Sequence, residues 1–306
     1  MTTTQERQLI DTGAPLPPTR GDVWLARGLF VLGIGAASIA LLGPLVANVI
    51  RYHASERAIN QVVGGDVAGL VLVAPLSIIA GILVLRRRIA GPLLAFGPAV
   101  YGLYMYIQLA LGADFIRYPG NSERFFPLYL GLFVLAAGIA IRSWTTINPS
   151  RLPATRRWVN RVLGIFFLVM AGFLAVGLHL PGLVDAWADQ PTSAEYLADP
   201  AVFWLVKFMD LGLVVPTMLA IAVGILRNRV WVQKAKYAAV AWAALLGSSV
   251  AGMAIVMQAS ADPAATTANT IAFSLFAAIS LTMAAVVYRP LFGRSTVGHQ
   301  RPERRD

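Results

Sequence analysis

The sequence predicts an all-α fold: a polytopic membrane bundle of eight transmembrane helices. The first observation is composition, since 57% of the 306 residues are hydrophobic and 13% are charged, whereas soluble proteins carry about 25% charged residues. The second is the presence of eight apolar stretches close to the ~20 residues that a helix needs to cross the hydrocarbon layer. These stretches lie at about 28–50, 67–85, 89–113, 125–141, 162–183, 201–226, 237–257 and 269–288.

The third observation is the placement of the basic residues. Twenty of the 25 Lys and Arg residues fall in the two tails or in alternate gaps between the apolar stretches. Because an excess of Lys and Arg marks the cytoplasmic side, we expect both termini to be cytoplasmic. The net charge of +10 is therefore a topology signal. We expect contact with the lipid bilayer and with anionic lipids at the cytoplasmic face, and no nucleic-acid binding.

The chain is predicted to have five segments. A flexible cytoplasmic tail (1–25) is followed by transmembrane helices 1–4 (26–144) and a basic cytoplasmic linker (145–161). Transmembrane helices 5–8 (162–289) and a basic disordered cytoplasmic tail (290–306) complete it. Six of the seven Trp residues lie near predicted span ends, as expected of an interfacial aromatic belt. Only Trp242 lies well inside a span.

The two halves of the membrane part resemble each other. Pro75 lies as many residues before Arg86 as Pro216 lies before Arg227. Sliding the first half of the sequence along the second aligns helices 1–4 with helices 5–8. Two units of four spans would share one orientation. The alternative is the general similarity that any two polytopic halves have. Small residues at helical spacing, such as Gly247 and Ala251, predict close helix packing.

Two charged residues inside the sixth apolar stretch are the main candidates for a site. Lys207 and Asp210 share a helix face at i, i+3 and can pair. A charge near the bilayer centre costs about 2.5–3.5 kcal/mol on insertion scales. Lys207 has the alternative of extending to the outer surface. The short side chain of Asp210 must pair, be protonated or face a water-filled cavity.

A helix break is predicted beside these charges. Pro216 has no N–H, so the carbonyl of Gly212 loses its helical partner and the helix should kink. Interrupted helices at mid-membrane recur in ion and substrate sites. On helix 3, Tyr104 and Gln108 share a face and are predicted to line an outward-facing crevice; the alternative is ordinary interfacial anchoring.

Other polar residues have simpler interpretations. Asp66 and Asp199 precede apolar stretches and are predicted to be helix N-caps. There is no Cys, and His53, His179 and His299 have no metal-ligand partner at fixed spacing. No phosphate-binding or nucleophile motif occurs. We therefore expect no catalytic residues, no metal and no cofactor.

Loose motifs in both halves resemble a group of uncharacterised bacterial multi-pass integral membrane proteins. The resemblance implies a bacterial plasma (inner) membrane location, and it carries no activity over to this chain. The segments concerned are Gly65-Asp66, Pro75, Arg86-Arg87-Arg88, Tyr101-x2-Tyr104 and Gly112-Ala113-Asp114-Phe115 in the first half, and Asp210-Leu211-Gly212 with Pro216 in the second.

These observations favour a transporter- or permease-like protein for a small solute or ion. Asp210 would be the binding carboxylate and Lys207 its partner. The Gly212–Pro216 break would be a hinge, and Tyr104 and Gln108 would line the crevice. The alternative is a non-catalytic membrane assembly, sensor or envelope-support protein in which the charged pair fixes helix packing. An enzyme acting on lipid or quinone ranks third, because no acid–base pair is visible.

Overall fold

The predicted fold class is confirmed in a computed structural model that describes residues 17–292. Within this range there is no strand, and eight helices are long and apolar enough to cross a membrane. The chain is therefore a multi-pass integral membrane protein. The predicted tails lie largely outside the described residues, at 1–16 and 293–306. The helices α1–α8 span Arg20–Leu42, Glu56–Leu85, Ala90–Leu111, Ser122–Thr146, Arg157–Ala186, Pro200–Leu226, Val232–Ala259 and Thr267–Leu291.

Helix α1 begins and ends earlier than predicted. The Thr19 side chain accepts from the backbone N–H of Asp22, whose carboxylate accepts from the N–H of Thr19, and this capping box starts the helix inside the predicted tail. The helix ends at Leu42, ahead of Gly43 and a proline. Among the apolar residues that follow, Ile50 is completely buried, whereas Val46 and Val49 are exposed. Their hydrophobicity therefore does not mark a continued span.

Helix α2 corrects the prediction for Asp66. The helix begins at Glu56, well before the predicted start, with Ser55 as its N-cap. Asp66 consequently lies inside the helix and is buried, so the predicted N-cap role is wrong. The first turns of α2 were missed because their polar residues, among them Glu56 and Arg57, interrupt the apolar pattern.

Asp199 lies at the N-cap position of α6, as predicted, but its carboxylate makes no capping bond to that helix. It accepts hydrogen bonds from the backbone N–H of Ser55, at 2.9 Å, and from the Ser55 hydroxyl. Because Ser55 is the N-cap of α2, this contact ties the starts of α2 and α6 together.

The two halves pack in the same pattern and meet along α2, α3 and α7. Helix α1 packs on α2 and α3 on α4, while α5 packs on α6 and α7 on α8. Between the halves, α7 contacts α2 and α3. Gly64 of α2 meets the backbone of Gly252 and Met253 of α7 so closely that neither glycine leaves room for a methyl group. This crossing fixes the distance between the halves.

Three helices contain a π-helical segment within the described residues, and each segment ends two residues before a proline. The segments are Gly69–Val73 in α2, Phe173–His179 in α5 and Asp210–Val214 in α6. The prolines are Pro75, Pro181 and Pro216. A proline lacks the N–H that the helix needs and crowds the carbonyl four residues earlier, and widening the helix relieves that clash. The predicted break at Gly212–Pro216 takes this form.

The two ends of the bundle differ in charge. The basic end comprises the connections 86–89, 147–156 and 227–231, and there the Lys234 Nζ donates to the Trp144 carbonyl at 2.9 Å. The acidic end comprises the connections 43–55, 112–121, 187–199 and 260–266, including Asp189 and Glu195. Which end faces the cytoplasm stays a prediction.

Candidate functional site

A buried carboxylate with two donors lies in the middle of the second half. The Oδ1 atom of Asp210 accepts from the Tyr104 hydroxyl at 2.7 Å, and its Oδ2 lies 2.7 Å from the His179 Nε2. Asp210, His179 and Tyr104 expose only 5%, 3% and 9% of their surface. We call these three residues the Asp210 cluster. Both carboxylate oxygens of Asp210 therefore have a polar partner although the residue is buried.

The helix irregularities position this cluster. Asp210 is the first residue of the π segment of α6, and His179 is the last residue of the π segment of α5. The two segments pack against each other. Tyr104 reaches the carboxylate from α3, where Trp242 of α7 packs edge-on against its ring at 6.0 Å. The single Trp predicted to lie well inside a span thus forms part of the wall around the cluster.

The chemistry of the two side chains decides which of them donates in this contact. An ionised carboxylate only accepts hydrogen bonds, so His179 donates from Nε2 when Asp210 is charged. His179 in turn can be neutral or protonated, which makes the contact a hydrogen bond or an ion pair. In either state, loss of one partner leaves a buried polar group without its bond, which is costly.

The predicted pair between Lys207 and Asp210 is wrong. The Lys207 Nζ lies 3.9 Å from the Glu195 Oε2 and 3.3 Å from the centre of the Phe203 ring. Side chains lean toward the N-terminus of their helix, and for α6 this direction leads away from Asp210 to the acidic end. Lys207 nonetheless stays 96% buried, beneath the short helix Ala194–Ala198 that carries Glu195.

A cavity of about 360 Å³ connects the cluster with the acidic end. Asp210, Lys207, Tyr104 and Gln108 all line it, so the structure brings four of the six predicted site residues together. Its outer part includes Thr266 and Asn269, which are exposed, and its inner part reaches Trp242. Gly212 and Pro216 do not line it, because they lie on the outward, exposed face of α6.

Three charged or titratable residues that line this cavity were not among the predicted site residues. His179 lies inside the fifth apolar stretch, but nothing in the sequence linked it to Asp210. Arg57 and Glu195 fell in segments predicted to be loops, so nothing in the sequence linked them to Asp210. Arg57 lines the cavity, and its buried Nε has no hydrogen-bond partner in the structure.

Comparison of the chain with protein-family models, with curated proteins and with solved structures returned no match. The resemblance to bacterial multi-pass proteins therefore stays a prediction. Within residues 17–292, no group of three or more His, Asp or Glu side chains is arranged to hold a metal ion.

Proposed function

We propose that this integral membrane protein is a transporter- or permease-like protein that binds a small solute or ion in the 360 Å³ cavity. The observation that carries the proposal is the Asp210 cluster at the inner part of a cavity that reaches the acidic end. Ionisable residues within membrane helices mark substrate and ion pathways, because their insertion is expensive. A carboxylate used only for helix packing does not need such a cavity beside it.

The helix architecture supports a conformational cycle. Many transporters place the solute near the membrane midplane, between repeated units and beside interrupted helices. Here the cavity lies between the two halves, and the π segments of α5 and α6 supply His179 and Asp210 to its lining. π segments within α-helices are frequent at functional sites. We propose that the acidic-end opening closes and a basic-end opening forms when α5 and α6 move relative to α2, α3 and α7.

The lining supports a small, partly apolar solute that carries a carboxylate. Arg57 and Lys207 both line the cavity; the buried Nε of Arg57 makes no hydrogen bond, and the Nζ of Lys207 contacts the Phe203 ring and lies 3.9 Å from the Glu195 Oε2. Guanidinium groups bind carboxylates with charge-assisted hydrogen bonds. Phe173 and Phe276 supply apolar wall elsewhere in the cavity. In this proposal Asp210 accepts the proton or cation that accompanies the solute.

We also propose the orientation and location that the charge pattern predicts. The basic end would lie at the cytoplasmic face, in contact with anionic lipids, and both termini would be cytoplasmic. The solute would then enter the cavity from the outside of a bacterial plasma membrane.

The test is proton movement in proteoliposomes that contain a trapped pH indicator. Addition of small carboxylate solutes, amino acids included, is expected to change the internal pH in vesicles with the unaltered protein. Asp210→Asn should abolish the change, because the neutral amide cannot take up a proton. Asp189→Asn, in an acidic-end loop outside the cavity, is the matched control and should behave like the unaltered protein.

Full solute-dependent proton movement by Asp210→Asn would refute the role of this carboxylate. If the unaltered protein moves no solute, and Asp210→Asn changes only the melting temperature in detergent, the non-catalytic membrane component is the better description. These two results separate the binding role from a packing role.

A further inference from the structure

Asp66 of α2 is one of three buried aspartates within residues 17–292, and the other two have partners. Both oxygens of Asp199 accept from Ser55, and each oxygen of Asp210 has a partner within the Asp210 cluster. Asp66 is only 8% exposed, and its Oδ2 is inaccessible to solvent and makes no hydrogen bond. Among the three, Asp66 therefore lacks the contacts that stabilise a buried carboxylate.

No cation of the described residues pairs with Asp66. No Lys, Arg or His within residues 17–292 forms an ion pair with it. Asp66 lines a separate cavity of about 120 Å³ whose lining contains no Lys and no Arg. The one His of that lining, His53, has both ring nitrogens engaged, by the Tyr118 carbonyl and by Glu123. The other titratable residues around Asp66 are tyrosines, which are uncharged at neutral pH: Tyr52, Tyr101 and Tyr106 in the lining and Tyr129 on α4.

These surroundings favour the uncharged form of the Asp66 side chain. Transfer of an unpaired charge from water into a protein interior is so costly that a carboxyl group takes up a proton instead. A protonated Asp66 carries no charge, so it needs no metal ion and no ammonium group beside it. The ligand that the burial and the missing partner select is therefore a proton.

The cavity beside Asp66 has room for the water with which a proton exchanges. A volume of about 120 Å³ holds several water molecules, since one water needs about 15 Å³. Gln61 and Gln108 line both this cavity and the 360 Å³ cavity, which reaches the acidic end. Water that fills the two cavities would bring Asp66 into exchange with the solvent.

The position of Asp66 along its helix has a counterpart in the second half. Asp66 lies three residues before the π segment of α2, and Lys207 lies three residues before the π segment of α6. Both residues are buried, and each lines a cavity. In both halves, then, an ionisable residue precedes a widened helix segment of the kind that is frequent at functional sites.

We propose that Asp66 is a proton-binding site separate from the Asp210 cluster. It carries a proton at neutral pH in this conformation and exchanges that proton with water in the 120 Å³ cavity. The site does not depend on the proposed transport function. It is compatible with that function, because an uncharged Asp66 adds no negative charge beside the cavity in which a carboxylate solute would bind.

Infrared spectroscopy of the purified full-length protein, in a detergent without carbonyl groups, tests the protonation directly. At pH 7 the unaltered protein should show the C=O stretching band of a protonated carboxyl group. The band should shift in D₂O, because a deuteron replaces the exchanging proton. Asp66→Asn should remove the band. Asp210→Asn is the matched control and should keep it.

The pH dependence of stability gives a second readout. A free Asp side chain ionises near pH 4, at about 3.9, so between that pH and neutrality unfolding releases the proton of Asp66. The unfolding equilibrium constant of the unaltered protein should therefore rise about tenfold per pH unit relative to that of Asp66→Asn. Unfolding by a denaturing detergent at a series of pH values measures this ratio.

The infrared experiment still decides if Asp66→Asn does not fold, because a protonated-carboxyl band that persists in Asp210→Asn comes from another buried carboxyl group. Three results would each overturn the proposal: no such band in the unaltered protein at pH 7, an equal band in Asp66→Asn, or a band that does not shift in D₂O.

Discussion

Gly64→Ala is expected to lower the free energy of unfolding by about 3 kcal/mol and to reduce the yield of folded protein. A Cβ at this position would lie 2.3 Å from the Met253 backbone nitrogen and 2.4 Å from its Cα. Backbone atoms cannot swing aside as a flexible side chain does, so α2 and α7 must separate. Unfolding by a denaturing detergent, followed by circular dichroism, measures the loss.

Gly138→Ala is the matched control for this prediction. Gly138 lies on the exposed face of α4, where an added methyl group meets nothing within 4 Å. Alanine there should stabilise the helix by up to about 1 kcal/mol, because it reduces the freedom of the unfolded chain. Equal stability of the two variants would contradict the close crossing of α2 and α7.

His179→Ala is expected to destabilise the folded protein by about 3 kcal/mol, because it leaves Asp210 with Tyr104 as its only partner in a buried site. Asp210→Ala should have a similar effect, since it leaves the buried imidazole of His179 without its partner. The double variant should cost much less than the sum of the two, with a coupling energy of about 2 kcal/mol. The same detergent unfolding experiment gives all three values.

Glu123→Gln tests whether a carboxylate next to a His stabilises the protein when the pair is exposed rather than buried. Glu123 also lies 2.7 Å from a His, but its side chain is 49% exposed. We expect no measurable change in stability for this variant, because exposed pairs contribute little. Additive effects of His179→Ala and Asp210→Ala would show that the two side chains do not act as a pair.

The eight membrane helices could be predicted from the sequence because they depend on local composition. Apolar length acts on a single segment and needs no knowledge of tertiary contacts. The errors came where an apolar run continued past the end of a helix into a turn, as between Gly43 and Ile50. They also came where polar residues faced a cavity, as between Glu56 and Asp66.

The partners of Asp210 could not be predicted in the same way. The sequence offered Lys207 as the nearest opposite charge on the same helix face. The actual partners lie 31 residues away at His179 and 106 residues away at Tyr104. The side chain of Lys207 instead follows the general lean of helical side chains. Pro216 predicted a break in α6, but the π segments that bring Asp210 and His179 together depend on the packing of α5 against α6.

The misassignment of Asp66 has a physical origin as well. A Gly-Gly-Asp sequence before an apolar run has the composition of a helix start. In the folded protein, those glycines allow the close approach of α7, and Asp66 continues the helix into the bundle. A buried carboxylate was therefore concealed by a local pattern that usually marks an exposed one.

The central claim is that water and solute reach the Asp210 cluster through the cavity, and cysteine accessibility in lipid nanodiscs tests it most directly. The chain has no native Cys, so Val206→Cys and Phe208→Cys each carry one thiol. Val206 lines the cavity one turn from Asp210, whereas Phe208 is 72% exposed on the outer, lipid-facing side of α6. A charged methanethiosulfonate reagent, which reaches both faces of a nanodisc, is expected to modify Val206→Cys and to leave Phe208→Cys unreacted. Equal rates at the two positions, or no reaction at Val206→Cys, would contradict the proposed cavity.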